Sequence, residues 1–182
     1  EMLQYLREYG KYLEITGYHD IRFDKAEIFL KTKRKEAQQN IEIQFFEAEL
    51  IATQEHLYFA VLNALQAFKN KTNLSKSIAM ETMLYASAQR QIQKAIIHAG
   101  IKPQTHNMAI VIVADDPKQI ETTLESITEN MGTEPDERVL DLTKNKESKI
   151  KKTFGITDEE LKIFENGNQK KAITNIVIER VA

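Results

Sequence analysis

The chain has 182 residues, 42% of them apolar and 29% charged, with a formal net charge of −2 and no cysteine. That length suits one domain spanning residues 1–182, large enough to bury a core without covalent staples. The missing cysteine excludes disulfides, Cys-ligated zinc and a thiol nucleophile, and no apolar run approaches the ~20 residues that a membrane span needs. No signal-peptide pattern opens the chain, so the cytoplasm is the expected compartment.

The segment from Lys11 to Phe23 alternates loosely, with Tyr12, Ile15, Ile21 and Phe23 apolar, and Gly17 is expected to turn it into two short strands. Asp24 can cap a helix running toward Gln39, with Ile28 and Phe29 facing the core and the cationic run KTKRK (Lys31 to Lys35) in its second half, where cations suit the helix dipole. From Ile41 to Ala52, Ile41, Ile43 and Phe45 share one side, which argues a strand. Thr53 reads as an N-cap, and Leu57, Val61, Ala64, Leu65 and Phe68 follow at helical spacing. Asn70 to Ser77 is a polar loop, Ser77 caps a short helix bearing Met80, Met83 and Leu84, and a second helix carries Ile92, Ala95, Ile96 and Ala99. Gly100 is expected to stop that helix in a left-handed conformation, with Pro103 preventing its continuation.

Met108 to Ala114 (MAIVIVA) is apolar at every position and reads as a central strand buried on both faces. Asp116 caps the next helix, Pro117 takes its first position, and Ile120, Leu124, Ile127 and Met131 make a buried stripe ended by Gly132. Arg138 to Leu142 reads as a strand, and Lys144 to Lys152 as a basic helix stopping at Gly155. Thr157 and Glu160 form a capping box, with Ile156 stapled to Leu161 across it. The tail from Ala172 to Ala182 fits a helix by spacing and a strand by its β-branched content; helix is the preferred reading. Together these elements predict a mixed α/β (α+β) fold, one compact domain with a central mixed sheet flanked by helices.

Chemistry-bearing motifs are scarce. There is no GxGxxG, no GxxxxGKS/T and no kinase signature. The four histidines, His19, His56, His98 and His106, show no zinc-helix spacing, so no metal or cofactor is expected, and His56 suits a capping or polar-core role. No serine sits beside an elbow or an obvious base, so no catalytic residue is assigned.

Charge is unevenly placed. Asp115 to Glu137 holds eight acids and one lysine, whereas Lys144 to Lys152 holds five lysines and one glutamate. Such runs are ordinarily solvated faces, although concentrated cations also attract phosphates. Gln89, Arg90, Gln91 and Lys94 open the second central helix, with Arg90 and Lys94 spaced to share a face, and Asn70, Lys71, Asn73, Ser75 and Lys76 lie on the loop before the pair. A helix entrance with two cations beside amides and hydroxyls suits phosphate. On composition alone the preferred reading is the simpler one, in which Arg90 pairs with Glu81 or another acid and ties two helices together.

The stretch from Leu50 to Ile101 contains EHL before an alanine-rich helix (Glu55 to Ala67), NLSKSIAMETMLYAS (Asn73 to Ser87) and RQIQKAI followed by GI (Arg90 to Ile97, Gly100-Ile101). Farther on come FGITDEEL (Phe154 to Leu161) and the ending ERVA. In these elements the chain resembles the PRPK-binding protein (TPRKB) family, the regulatory subunit of the KEOPS complex, in its archaeal form. The resemblance covers most of the chain from about residue 50 onward.

It implies a compact mixed α/β fold that binds the N-terminal lobe of an atypical protein kinase, itself a KEOPS subunit, in a complex that makes N6-threonylcarbamoyl-adenosine in tRNA. Catalysis would belong to another subunit, no cofactor would be needed here, and this subunit would help dock tRNA through its 3′ CCA end. Carried onto this sequence, the resemblance assigns tRNA contacts to Arg90 first, then Gln91 and Lys94. Lys71 and Lys76 would add phosphate contacts, Asn73 or Ser75 would reach a ribose hydroxyl, and the lysines from Lys144 to Lys152 would extend the track. An exposed apolar patch for the kinase is expected on the C-terminal helix at Ile173, Val177 and Val181. The alternative is a purely protein-binding regulator of the kinase that never touches RNA. The slightly acidic balance requires any RNA contact to be local, with the acidic helix from Asp116 to Met131 facing away from it.

Overall fold

A computed structural model describes residues 3–36, 40–163 and 168–182. Its axis is the strand expected to be buried on both faces, β4 (Met108–Ala114), in which every residue is buried. It pairs antiparallel with β2 (Lys11–Tyr18) on one edge and with β3 (Ile41–Glu47) on the other. A short β1 (Gln4–Leu6) completes the order β1-β2-β4-β3. Every pairing is antiparallel, so the sheet is not mixed as expected. Because strand side chains alternate, Ala109, Val111 and Val113 face one side with Leu13, Ile15 and Phe46, while Met108, Ile110 and Ile112 face the other with Tyr18, Ile43 and Phe45.

Helices cover both faces. On the second face lie α1 (Phe23–Lys35) and α5 (Pro117–Met131), burying Phe29, Leu30, Ile120 and Ile127. On the first face lie α2 (Gln54–Lys69), α3 (Ile78–Ser87) and α4 (Ile92–Ala99), burying Leu57, Val61, Leu65, Met83, Leu84, Ala95 and Ala99. A third cluster gathers α6 (Lys144–Phe154), α7 (Asp158–Lys162) and α8 (Gln169–Arg180) around Ile150, Phe154, Ile173 and Val177. The capping box of Thr157 and Glu160 is present, Ile156 and Leu161 join this cluster, and the tail is helical.

Several local expectations are corrected. Gly17 does not turn the chain but sits inside β2. A Cβ there would overlap the Val139 side chain and lie 2.9 Å from the Met108 carbonyl oxygen, so glycine permits close approach rather than a turn. Arg138 to Leu142 is not a strand; Glu137–Leu140 is a 3-10 turn. β1 reaches only as far as Leu13 along the outer edge of β2. Beyond it, this turn covers the edge, with the Asp136 amide donating to the Gly17 carbonyl at 2.7 Å.

Ile28 is 62% exposed, because the buried stripe of α1 is Ala26, Phe29 and Leu30. That helix ends at Lys35, its N-cap is Arg22 rather than Asp24, and residues 37–39 of the expected span lie outside the described residues. Gly100 is extended (φ −78°), not left-handed.

Two buried polar side chains tie segments distant in sequence to one another. His56 Nδ1 accepts from the Ala52 amide (3.0 Å) and Nε2 donates to the Ala86 carbonyl (2.8 Å), joining the start of α2 to the end of α3. Burial pushes the imidazole down to about 4. Lys146 donates to the Val139 (2.6 Å) and Ile51 (3.2 Å) carbonyls, and burial lowers its ammonium to about 8.

Both features are testable. Gly17→Ala lowers unfolding stability by about 1–3 kcal/mol in urea melts, through overpacking against Val139. For His56, the unfolded chain takes up its proton near pH 6.5 and the native state only near 4, so its contribution is intact above 6.5 and lost as pH falls through that window. About 3 kcal/mol of acid sensitivity is expected from it. His56→Gln, which cannot titrate, shows a shallower loss of stability than the native chain between these pH values.

Candidate functional site

The loop before α3 is held by one acid. Glu81, in the first turn of α3, is 1% exposed. Its carboxylate accepts from the Leu74 amide (3.0 Å), the Ser75 amide (2.8 Å) and the Ser75 hydroxyl (2.7 Å). Ser77 caps the same helix by accepting from the Met80 amide. α3 is also fixed to the outer edge of β3, where Glu42 accepts from the Ala79 amide (2.9 Å) and Gln44 donates to the Ala79 carbonyl (3.2 Å).

This arrangement sorts the loop's expected site residues. Ser75 is 5% exposed and its hydroxyl is engaged by Glu81, so it is not available to a ribose; the carboxylate's need for donors turned it inward. Asn73 is half-buried and donates to the Ser75 carbonyl (2.8 Å). Lys71 and Lys76 are exposed. Leu74 is also exposed, at 51%.

α3 ends at Ala88, whose φ of 56° is left-handed and unusual for a residue with a Cβ. The chain then bends through Gln89 and Arg90, and Gln91 is the N-cap of α4, with no side-chain hydrogen bond there. Arg90 therefore precedes the helix, and the helical spacing that would put it on the face of Lys94 does not apply. Arg90, Gln91 and Lys94 are all exposed.

Arg90 makes no ion pair with any described residue. The pairing with Glu81 is absent because Glu81 faces the loop. Beside Arg90 lies a cleft of about 150 Å³ walled by Leu74, Tyr85, Gln89 and Arg180, with Glu81, committed to the loop, also lining it. Arg180 is already committed, donating to both oxygens of Glu160 (2.8 and 2.9 Å) and to the Phe154 carbonyl (3.0 Å). An aromatic ring, an aliphatic wall and one uncommitted guanidinium suit an unpaired base with its phosphate. Tyr85 and Leu74 gave no such signal in the sequence: Leu74 lies inside a loop read as polar, and Tyr85 is one apolar residue among several in a short helix.

Other expectations fare less well. Ile173, Val177 and Val181 are at most 1% exposed and fill the third core cluster, so they form no exposed patch. The helix spacing that suggested them is the spacing that buries them. The lysine track is also thinned: Lys146 is buried, Lys149 pairs with Glu49 (3.3 Å) and Lys151 with Asp158 (3.0 Å).

The acidic α5 lies across the sheet from α3 and α4, and its Glu121, Glu125 and Glu129 are exposed. Among the described residues no cluster of His, Asp and Glu is able to hold a metal, and no helix is long and apolar enough to cross a membrane. A cleft of about 630 Å³ lies elsewhere and sets Glu55, Glu137 and Asp141 against Lys170 and Lys171.

The sequence model of a family described as kinase binding protein CGI-121 matches residues 18–182. The regulatory protein Cgi121 of Methanocaldococcus jannaschii is 34% identical over 116 residues, which cover 64% of this chain and 72% of that protein. A single antiparallel sheet sheathed by helices, with an uncommitted arginine at a polar helix entrance and no metal cluster among the described residues, is thus carried by a chain that belongs to the CGI-121 family of kinase-binding proteins.

Proposed function

We propose that the chain is a non-catalytic subunit of the KEOPS complex, binding that complex's kinase subunit and helping to dock tRNA through its 3′ CCA end for N6-threonylcarbamoyl-adenosine modification. The family description supports the kinase half of this reading. The name of the Methanocaldococcus jannaschii relative, a regulatory protein, supports the absence of catalysis by this chain.

The RNA half rests chiefly on Arg90. Glu81, the nearby acid able to neutralise it, is occupied by the 74–75 loop, which leaves an exposed guanidinium beside a cleft of about 150 Å³. A guanidinium there contacts phosphate through two N–H groups or stacks on an unpaired base. Gln91, the N-cap of α4, and Lys94 in its first turn follow it, and the exposed Lys71 and Lys76 add phosphate contacts from the loop before α3. No cofactor takes part. The exposed acids of α5, on the opposite face of the sheet, repel the RNA from that side and orient it toward α4.

A gel-shift titration with intact and CCA-trimmed tRNA tests this reading. The native chain binds intact tRNA more tightly than trimmed tRNA, and affinity falls with rising salt as counterions are released. Arg90→Glu reduces affinity for intact tRNA by about tenfold or more, the scale of a lost charge-assisted contact, with an unchanged circular dichroism spectrum. Equal binding of the two tRNAs contradicts end capture. Absence of any tRNA binding, alone and in complex with the kinase, supports instead a purely protein-binding regulator of that kinase, the reading that the net charge of −2 favours.

A further inference from the structure

The outer side of β2 is open where β1 stops. β1 pairs no farther than Leu13, so Glu14 and Thr16 have a strand partner on one side alone, where Ile112 and Ile110 of β4 stand opposite them. Strand alternation puts Leu13 and Ile15 on the α2 face of the sheet, and Glu14 and Thr16 together on the α5 face. There they line a cleft of about 420 Å³, walled also by Leu124 of α5 and by the segment from Pro135 to Arg138.

Thr16 is 2% exposed, and its hydroxyl has no hydrogen-bond partner among the described residues. A hydroxyl so buried ordinarily has a partner, because leaving it unmet costs free energy. Glu14, 6% exposed, stands two residues away on the same face, and an ionised carboxylate can only accept hydrogen bonds. The floor of the cleft thus offers acceptors and asks for a donor.

The walls narrow the kind of donor. Arg138 is the cation lining the cleft, and it already donates to both oxygens of Asp136 (2.9 and 3.1 Å), which leaves nothing to hold an anion. Among the described residues no cluster of His, Asp and Glu is able to hold a metal ion, here or elsewhere. Glu137 is exposed at the rim and adds a second carboxylate, within a stretch from Asp115 to Glu137 that carries eight acids and one lysine. Leu124 and Pro135 contribute apolar wall. Carboxylates combined with apolar surface suit a flexible organic cation, whose ammonium groups each carry three donors and whose methylenes lie against aliphatic side chains.

We propose that this cleft binds a linear aliphatic polyamine. A terminal ammonium donates to Glu14 and to the Thr16 hydroxyl, the methylenes cover Leu124 and Pro135, and a second ammonium meets Glu137. The site is on the face of the sheet opposite α3 and α4, and it needs neither RNA nor kinase.

Calorimetric titration of the full chain with spermidine at fixed ionic strength tests it. The native chain shows saturable binding at one site. Thr16→Val, which keeps the shape of the side chain and removes the hydroxyl, weakens binding about fivefold, and Glu14→Gln about tenfold. Glu137→Lys is a surface change that folds even where Glu14→Gln does not, and it weakens binding about threefold. Without ligand, Thr16→Val melts at or above the native temperature, because the hydroxyl it removes is unmet. A lower melting temperature for Thr16→Val overturns the assignment by showing that the hydroxyl is already engaged within the fold. Native-strength spermidine binding by Thr16→Val and Glu137→Lys overturns it, as does absence of binding to the native chain. Magnesium chloride binding as tightly as spermidine overturns it too, by reducing the site to a diffuse acidic field. Tighter binding of an end-blocked lysine peptide than of spermidine overturns the polyamine and gives the cleft to a lysine side chain.

Discussion

The arrangement of the site follows from one buried carboxylate. Glu81 has left solvent, and a charge so placed is tolerated only when its lone pairs are met by donors. The 74–75 loop supplies them from two backbone amides and a hydroxyl. Three consequences come from that single requirement. The loop is held against α3, Ser75 faces inward, and Glu81, which lines the same cleft as Arg90, is bonded to the loop rather than to it. A cation one turn beyond the end of α3 is thus left without an internal partner, although an acid capable of pairing with it lies close in sequence. The left-handed Ala88 completes the effect by turning the chain sharply before α4 begins. The site's cation is therefore kept free by the satisfaction of a different group.

The sheet determines which charges can act together. β4 is buried on both faces and is held by antiparallel pairs on both edges, so helices must cover each side. The acidic helix falls on one side and the α3–α4 pair on the other. A chain of net charge −2 in this way keeps its acidic helix off the face that α3 and α4 cover. α4 concentrates two kinds of exposure on a short element, polar at its entrance and aliphatic along its length. A helix so short contributes little core of its own, since only Ala95 and Ala99 are buried, and its surface is correspondingly open to partners.

Much of this was legible before any coordinates. β4 is seven apolar residues in a row, and no other placement than a doubly covered strand satisfies them. α5 carries its stop and start signals in Asp116, Pro117 and Gly132, each of which has a local steric or hydrogen-bonding cause. The capping box at Thr157 is local in the same sense. The misreadings are non-local. Gly17 is glycine because Val139 approaches it from more than a hundred residues away, and nothing around Gly17 signals that. The 138–142 segment has strand-like composition, yet the edge it covers is bonded through the Asp136 amide rather than as a ladder. Ile28 and Ile173 look equivalent as apolar helical residues; only the packing partner decides that one is exposed and the other buried. At the site, Arg90 was visible from charge and position, whereas Ser75 was misassigned because a serine's role depends on whether a buried acid claims its hydroxyl.

The central claim is that Arg90, left without an internal partner by the commitment of Glu81, receives the negatively charged end of an RNA. Side-chain nitrogen resonances report this directly. On titrating isotope-labelled protein with a short acceptor-stem RNA ending in CCA, the account predicts a saturable shift of the Arg90 Nε–H signal, accompanied by the backbone amides around Leu74 and Tyr85. An unmoved Arg90 signal, with shifts confined to other surfaces or absent altogether, would contradict it.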